Sequence, residues 1–116
     1  MLENFEAFQI AKEFYKSCKS LKLPYYLKDQ LLRSSSSIAL NLSEGSGKRT
    51  PPDQRRYYSN AYGSLRESQA ILELEDVQNI QIRKLADKLG AILYTLSRKE
   101  ISKSSDADAV AETDAG

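Results

Sequence analysis

The residues best suited to bind another molecule form a short basic segment that ends in two tyrosines. Four cations fall within nine residues, and the members of this basic segment are Lys48, Arg49, Arg55, Arg56, Tyr57 and Tyr58. Cations and the free amides of a helix start attract phosphate, and tyrosine rings stack on unpaired bases. The basic segment is therefore a candidate nucleic-acid site. The alternative is a solubilising loop whose tyrosines lie in the core.

A second group of polar residues recurs at intervals of three and four, a spacing that places side chains on one helix face. The members of this polar group are Gln30, Arg33, Ser37, Asn41 and Glu44, followed one helix later by Gly63, Ser64 and Glu67. The planar guanidinium of Arg33 suits a carboxylate partner such as Glu67. We interpret the polar group as a structural network between two helices or between subunits. A solvated face and a ligand site are the alternatives.

Gly63 stands in the middle of a predicted helix, where a glycine costs about 1 kcal/mol relative to alanine. A close helix contact would compensate for this cost, because glycine with Ser64 beside it lets a second helix approach closely. We therefore expect two covered faces on this helix. One four-helix core uses only one of them, so the sequence predicts an oligomer.

Other kinds of chemistry find little support in the sequence. It has no histidine and one cysteine, Cys18, which removes zinc fingers, Ser/His/Asp triads and Cys/His dyads. The loop 44–50 resembles a phosphate-binding loop, but Leu42 replaces its first glycine and Arg49 stands where a hydroxyl residue should hold magnesium. The carboxylates at 73, 75 and 76 have no second cluster of ligands. We predict no enzyme, no cofactor and no metal site.

Length and net charge suit one domain. The 116 residues carry 17 Lys plus Arg against 16 Asp plus Glu, and this net charge of +1 argues against a polyanion-coating protein. The longest uncharged stretch, residues 34–43, is shorter than the roughly 20 residues that cross a bilayer. The N-terminal residues lack the pattern of a signal peptide. We therefore expect a cytoplasmic protein with no membrane partner.

Charge divides the chain into two segments. Residues 1–100 hold 16 basic and 12 acidic residues, whereas residues 101–116 hold one basic and four acidic residues. The second segment has too few large apolar residues to offset the entropy of ordering it. We predict one domain over 1–100 and a disordered acidic tail over 101–116. The tail is interpreted as a solvating end, and competition with nucleic acid for the basic body of the chain is the alternative.

The apolar residues before position 101 keep helical spacing and predict four helices, over about 3–19, 27–44, 51–77 and 80–99. Thr50, Pro51 and Asp53 form a capping pattern at the start of the third helix. Gly45 and Gly47 suit a C-terminal cap of the second helix. Short connections make neighbouring helices antiparallel. The predicted fold is all-α, an antiparallel up-down-up-down four-helix bundle.

Three segments of the sequence together resemble a known family. They are DQLLR at 29–33, SIALNLSEG at 37–45 and GSLRE at 63–67. Their order and spacing are similar to those of the four-helix-bundle proteins encoded in 23S rRNA intervening sequences, over about residues 5–100. The residues to which this resemblance directs attention are Gln30, Arg33, Asn41, Glu44 and Glu67.

The resemblance carries implications for architecture and partners. It implies a left-handed bundle that assembles as a ring, a homopentamer. It also implies kinship with the accessory variability determinants of diversity-generating retroelements, which bind a reverse transcriptase and RNA. The resulting prediction is a non-enzymatic, self-assembling helical scaffold that binds RNA or a nucleic-acid enzyme such as a reverse transcriptase. The alternative is a purely structural homo-oligomer or protein–protein adaptor with no nucleic-acid binding.

Overall fold

The computed structural model describes residues 5–98, and within them the chain forms four α-helices and no β-strand. The helices are α1 (Glu6–Lys19), α2 (Tyr25–Ser46), α3 (Pro51–Leu74) and α4 (Ile80–Arg98). Each helix packs against two others, α1 and α3 both contacting α2 and α4. The predicted all-α class and the four-helix bundle are confirmed. The predicted acidic tail, 101–116, and the predicted helix ends at 3 and 99 lie outside the described residues.

Local sequence explains where α3 begins and ends. At its start, the Thr50 hydroxyl accepts a hydrogen bond from the backbone amide three residues later at 3.3 Å, as the capping pattern predicts. The helix ends at Leu74, before the predicted end, because Asp76 adopts a left-handed φ of 52°. The Val77 amide then donates to the Leu72 carbonyl at 3.0 Å, which completes a Schellman motif. Aspartate tolerates this conformation better than most residues with a side chain.

The second helix is longer than predicted at both ends, since it begins at Tyr25 and continues to Ser46. Gly45 therefore lies inside α2, and its predicted capping role is wrong. A Cβ atom at Gly45 would lie 2.7 Å from a ring carbon of Tyr58 on α3, so glycine is needed for the close approach of the two helices. Gly47 takes the cap position with an ordinary φ of −92°.

The core lies between the four helices and receives the apolar stripe of each one. Phe14, Leu31, Leu65 and Leu89 are fully buried and come from α1, α2, α3 and α4 in that order. Removing each of these side chains from water contributes about 1.5–3 kcal/mol. These stripes fix the rotation of every helix about its axis, and so determine which residues of α2 and α3 remain on the outer face.

Two contacts between serines determine how α2 lies along α3. The hydroxyl oxygens of Ser34 and Ser68 are 2.7 Å apart in a buried hydrogen bond. The hydroxyl oxygens of Ser37 and Ser64 are 2.9 Å apart in a second hydrogen bond, which is partly buried. Residue numbers rise along α2 as they fall along α3, so the two helices are antiparallel. The small side chains at these positions let the helices pack closely.

The single cysteine of the chain belongs to the core. Cys18 is fully buried, and its pKa is raised to about 12, chiefly because burial keeps water from the thiolate. The thiolate is the reactive form, so we expect the folded protein to resist iodoacetamide at pH 8 and to react once urea unfolds it. Mass spectrometry of treated samples with and without urea measures the difference. Equal alkylation in both samples would show that Cys18 is accessible in the folded chain.

Candidate functional site

Three members of the polar group meet between α2 and α3. The Asn41 side-chain amide donates to the Ser37 carbonyl at 2.9 Å and lies 3.0 Å from the Ser37 hydroxyl, which bonds in turn to Ser64. One turn along, the Ser68 hydroxyl donates to the Ser64 carbonyl at 3.0 Å and contacts Ser34. The polar contact between these helices is therefore built from hydroxyl and amide groups, with backbone carbonyls as acceptors.

The charged members of the polar group point away from these serines. Arg33 pairs with Asp29 one turn earlier on α2 at 3.0 Å, and the two side chains are 78% and 58% exposed. Glu67 and Gln30 are exposed as well. In the single chain Arg33 thus pairs with Asp29 instead of Glu67. An exposed pair of this kind contributes about 0.5 kcal/mol at most, so neither partner is fixed by the fold.

A shallow groove of about 310 Å³ runs along the same side of the molecule. Its lining residues come from α2 except for one ring of α3, and they are Arg33, Ser36, Ser37, Leu40, Asn41, Glu44 and Tyr57. Leu40 projects beside the groove with 66% of its surface exposed. On α3, a Cβ atom at Gly63 would meet no neighbouring atom within 4 Å. The exposed sides of α2 and α3 form the outer face of the molecule. This outer face has an apolar projection, Leu40, on α2 and an open space, at Gly63, on α3.

One end of the outer face carries the basic segment. Lys48 Nζ and the guanidinium carbon of Arg56 lie 5.1 and 5.0 Å from the centre of the Tyr57 ring. Such cation–π contacts hold the two positive charges on the ring. Lys48 also pairs with Glu44 at 3.3 Å, and Arg49 is exposed. The structure therefore brings the last member of the polar group on α2 together with the basic segment.

Comparison with known families gives a match that covers all the described residues. A family model described as 23S rRNA-intervening sequence protein matches residues 5–102. The chain belongs to the 23S rRNA-intervening sequence protein family. The resemblance noted in the sequence is confirmed at the level of this family. No curated protein and no solved structure shows a significant match.

The described part of this 23S rRNA-intervening sequence protein, residues 5–98, has neither a membrane span nor a metal cluster. No helix in that range is both long and apolar enough to cross a bilayer. The same residues contain no group of three His, Cys, Asp or Glu side chains that could hold a metal ion.

The two tyrosines of the basic segment have different surroundings in this 23S rRNA-intervening sequence protein. Tyr58 is 8% exposed, its ring centre lies 6.4 Å from that of Phe5, and burial raises its pKa. Tyr58 therefore packs in the core and offers no open ring face to a base. Tyr57 is half-buried and lines the groove, and Arg55 is half-buried. Tyr57 is the tyrosine of this segment that a base could reach.

The exposed Leu40 and the hydrogen bond between Ser34 and Ser68 were not predicted from the sequence. Leu40 falls on the polar side of α2, opposite the buried Leu42 and Ile38, and an apolar residue on that side was the available signal. The signal for the serine pair was a run of four serines at 34–37 that faces small residues on the next helix. Both features concern the contact surfaces of α2 and α3.

Proposed function

We propose that this family member is a non-enzymatic, self-assembling helical scaffold. The proposed architecture is an antiparallel up-down-up-down, left-handed bundle whose copies form a ring, with five copies as the resemblance implies. The observation that carries the proposal is Gly63. Glycine inside a helix costs about 1 kcal/mol, the space beside it is open, and Leu40 projects from the exposed side of the neighbouring helix α2. A second copy of the chain on this face supplies the contact that compensates for the glycine.

RNA is the partner that we propose for the assembled scaffold. The basic segment supports it, because Lys48, Arg49, Arg55 and Arg56 surround the start of α3, where free amides also favour phosphate. Tyr57 adds a ring on which an unpaired base can stack in place of Lys48 or Arg56, which now contact that ring. Several copies of the segment in one assembly bind one RNA with avidity that a single copy lacks. A reverse transcriptase is the protein partner that the likeness to accessory variability determinants implies.

A purely structural homo-oligomer or adaptor without nucleic acid is the second candidate. Two observations favour it, since the Lys48 charge is already paired with Glu44 and Tyr58 is committed to the core. The net charge of the whole chain, +1, adds little long-range attraction for a polyanion. RNA binding by the basic segment separates this candidate from the first.

Replacing Arg49 and Arg56 with glutamine should weaken the binding of single-stranded RNA and flatten its salt dependence. Each phosphate contact adds about −0.7 to the slope of log affinity against log salt, so losing two contacts should reduce the slope by about 1.4. Fluorescence anisotropy with a labelled single-stranded RNA over a salt series measures both quantities. The control variant, Lys84→Gln/Lys88→Gln, removes the same charge from the exposed surface of α4.

Three outcomes of this salt series are informative. If Arg49→Gln/Arg56→Gln binds like the wild type at every salt concentration, the basic segment is not the RNA site. If the wild type fails to bind even at low salt, the purely structural candidate is favoured. Removal of residues 101–116 should leave the affinity unchanged if the acidic tail only solvates the chain, and tighter binding would show that the tail competes with RNA.

A further inference from the structure

Exposed residues on the outer face of α2 have complementary counterparts on the outer face of α3. They recur at intervals of four and seven, which keeps each set on one side of its helix. The six residues are Tyr26, Arg33 and Leu40 on α2, and Gly63, Glu67 and Leu74 on α3, and all are exposed. Arg33 on α2 thus has an oppositely charged counterpart in Glu67 on α3. The projecting Leu40 has a counterpart in Gly63, which leaves space for it. Large apolar residues gathered on one exposed face mark an interaction surface.

The first contact between serines shows that the opposite charges lie at nearly the same height along the bundle. Ser34 lies beside Ser68, so Arg33 on α2 is level with residue 69 of α3. Glu67 is two residues from that level. A helix rises about 1.5 Å per residue, so the positions of Arg33 and Glu67 differ in height by only about 3 Å.

The second contact between serines shows that Leu40 and the open space at Gly63 also lie at nearly the same height. Ser37 lies beside Ser64, so Leu40 on α2 is level with residue 61 of α3. Gly63 is two residues from that level, again about 3 Å in height. The two offsets have opposite directions, because Arg33 and Leu40 are about 10.5 Å apart along α2 whereas Glu67 and Gly63 are about 6 Å apart along α3. Each pair therefore lies within about 3 Å of level when the helices dock without a shift along their axes.

We propose that α2 of one copy docks against α3 of a second copy, with Leu40 entering the space at Gly63 and Arg33 pairing with Glu67. When one copy is rotated onto another about an axis parallel to the helices, the position of each residue along that axis does not change. Residues that are level inside one chain are therefore level between two copies that such a rotation relates. This inference rests on the proposed self-assembly and names the surface that carries it.

The chemistry of this contact favours a second copy as the occupant. Tyr26 and Leu74 are 67% and 70% exposed and lie at matching heights near one end of the two helices, where they close the contact. Their burial with Leu40 excludes water from the intervening charges and strengthens the attraction between them. To pair with Glu67, Arg33 breaks only its exposed ion pair with Asp29, and the loss of that pair costs little free energy.

Charge reversal tests the pairing of Arg33 with Glu67. The variants Arg33→Glu and Glu67→Arg should each raise the dissociation constant of the assembly at least tenfold, because each places like charges together. The double variant Arg33→Glu/Glu67→Arg should restore assembly to within about threefold of the wild type, because opposite charges meet again. Light scattering over a dilution series measures the molar mass. Arg66→Glu reverses an exposed charge next to Glu67 in the sequence but about 100° around the helix, and should have no effect.

The outcomes separate this inference from the proposed function. If the wild type assembles and either single reversal leaves the molar mass unchanged, or the double variant fails to recover it, the docking surface is wrong and self-assembly stands. If the wild type has the mass of one chain, self-assembly itself fails. Circular dichroism of each variant checks that the helices are intact, which we expect because both residues are exposed.

A disulfide experiment tests the same surface without changing its charge. Chains carrying Leu40→Cys are mixed with mass-tagged chains carrying Gly63→Cys, and the mixture is oxidised. We expect a mixed disulfide as the main product, since docking brings these positions within the distance that a disulfide requires. Buried Cys18 does not compete. An assembled mixture that yields no mixed disulfide would overturn the proposed contact between Leu40 and Gly63.

Discussion

Replacing Gly45 with leucine should lower the free energy of unfolding by about 3 kcal/mol or more, because the new side chain would overlap the core. Even a Cβ atom at this position lies 2.7 Å from the Tyr58 ring and 3.1 Å from the Tyr57 Cβ. The Tyr58 ring is buried in the core and packs beside the Phe5 ring. A loss of this size is a large part of the total stability of a small domain. Urea denaturation followed by circular dichroism measures it.

Gly47→Leu is the matched control for this change. It introduces the same side chain two residues later, where a Cβ atom would make only an ordinary contact of 3.7 Å with the Glu44 carbonyl. We expect Gly47→Leu to change the free energy of unfolding by less than about 1 kcal/mol, as exposed substitutions usually do. Equal stability of the Gly45 and Gly47 variants would show that α2 and α3 can separate at this point without loss.

Replacing Gly63 with leucine should leave the helices folded and abolish assembly. Inside one chain the new side chain meets open space, and leucine favours a helix over glycine by close to 1 kcal/mol. In the assembly the same side chain fills the space that Leu40 of another copy enters, and the two copies are forced apart. Light scattering should therefore give the 13.1 kDa mass of one chain, with unchanged helix content by circular dichroism.

Lys84→Leu controls for the general effect of an added surface leucine. It places the same side chain on the exposed surface of α4, away from the proposed docking surface. We expect this variant to keep the mass of the wild type. If Gly63→Leu also keeps that mass, then no helix of a second copy approaches α3 at this glycine. The contact that we propose to offset the cost of a glycine inside the helix would then be absent.

Features that depend on one helix could be predicted from the sequence, and features that depend on two helices could not. The cap at Thr50 and the apolar stripes follow from local spacing, and the four helices follow from them. The role of Gly45 depends on Tyr58, a residue of another helix, so sequence spacing suggested a cap instead. The sequence suggested Glu67 as the partner of Arg33, and only the fold shows that Asp29 is its partner inside one chain.

Adjacent residues illustrate the same limit within the candidate site. Tyr57 and Tyr58 are alike in type and differ by one step along α3, which turns the side chain by about 100°. That turn places Tyr58 in the core and Tyr57 at the groove. The sequence identified the pair as a candidate for base stacking but left open which ring a base could reach. The rotation of α3 against the rest of the bundle decides it.

The molar mass of the wild-type protein in solution tests self-assembly most directly. Size-exclusion chromatography with multi-angle light scattering at micromolar concentration gives this mass independently of molecular shape. We expect a whole-number multiple of the 13.1 kDa chain, and about 65 kDa if five copies close the ring. A mass of 13.1 kDa at that concentration would contradict self-assembly.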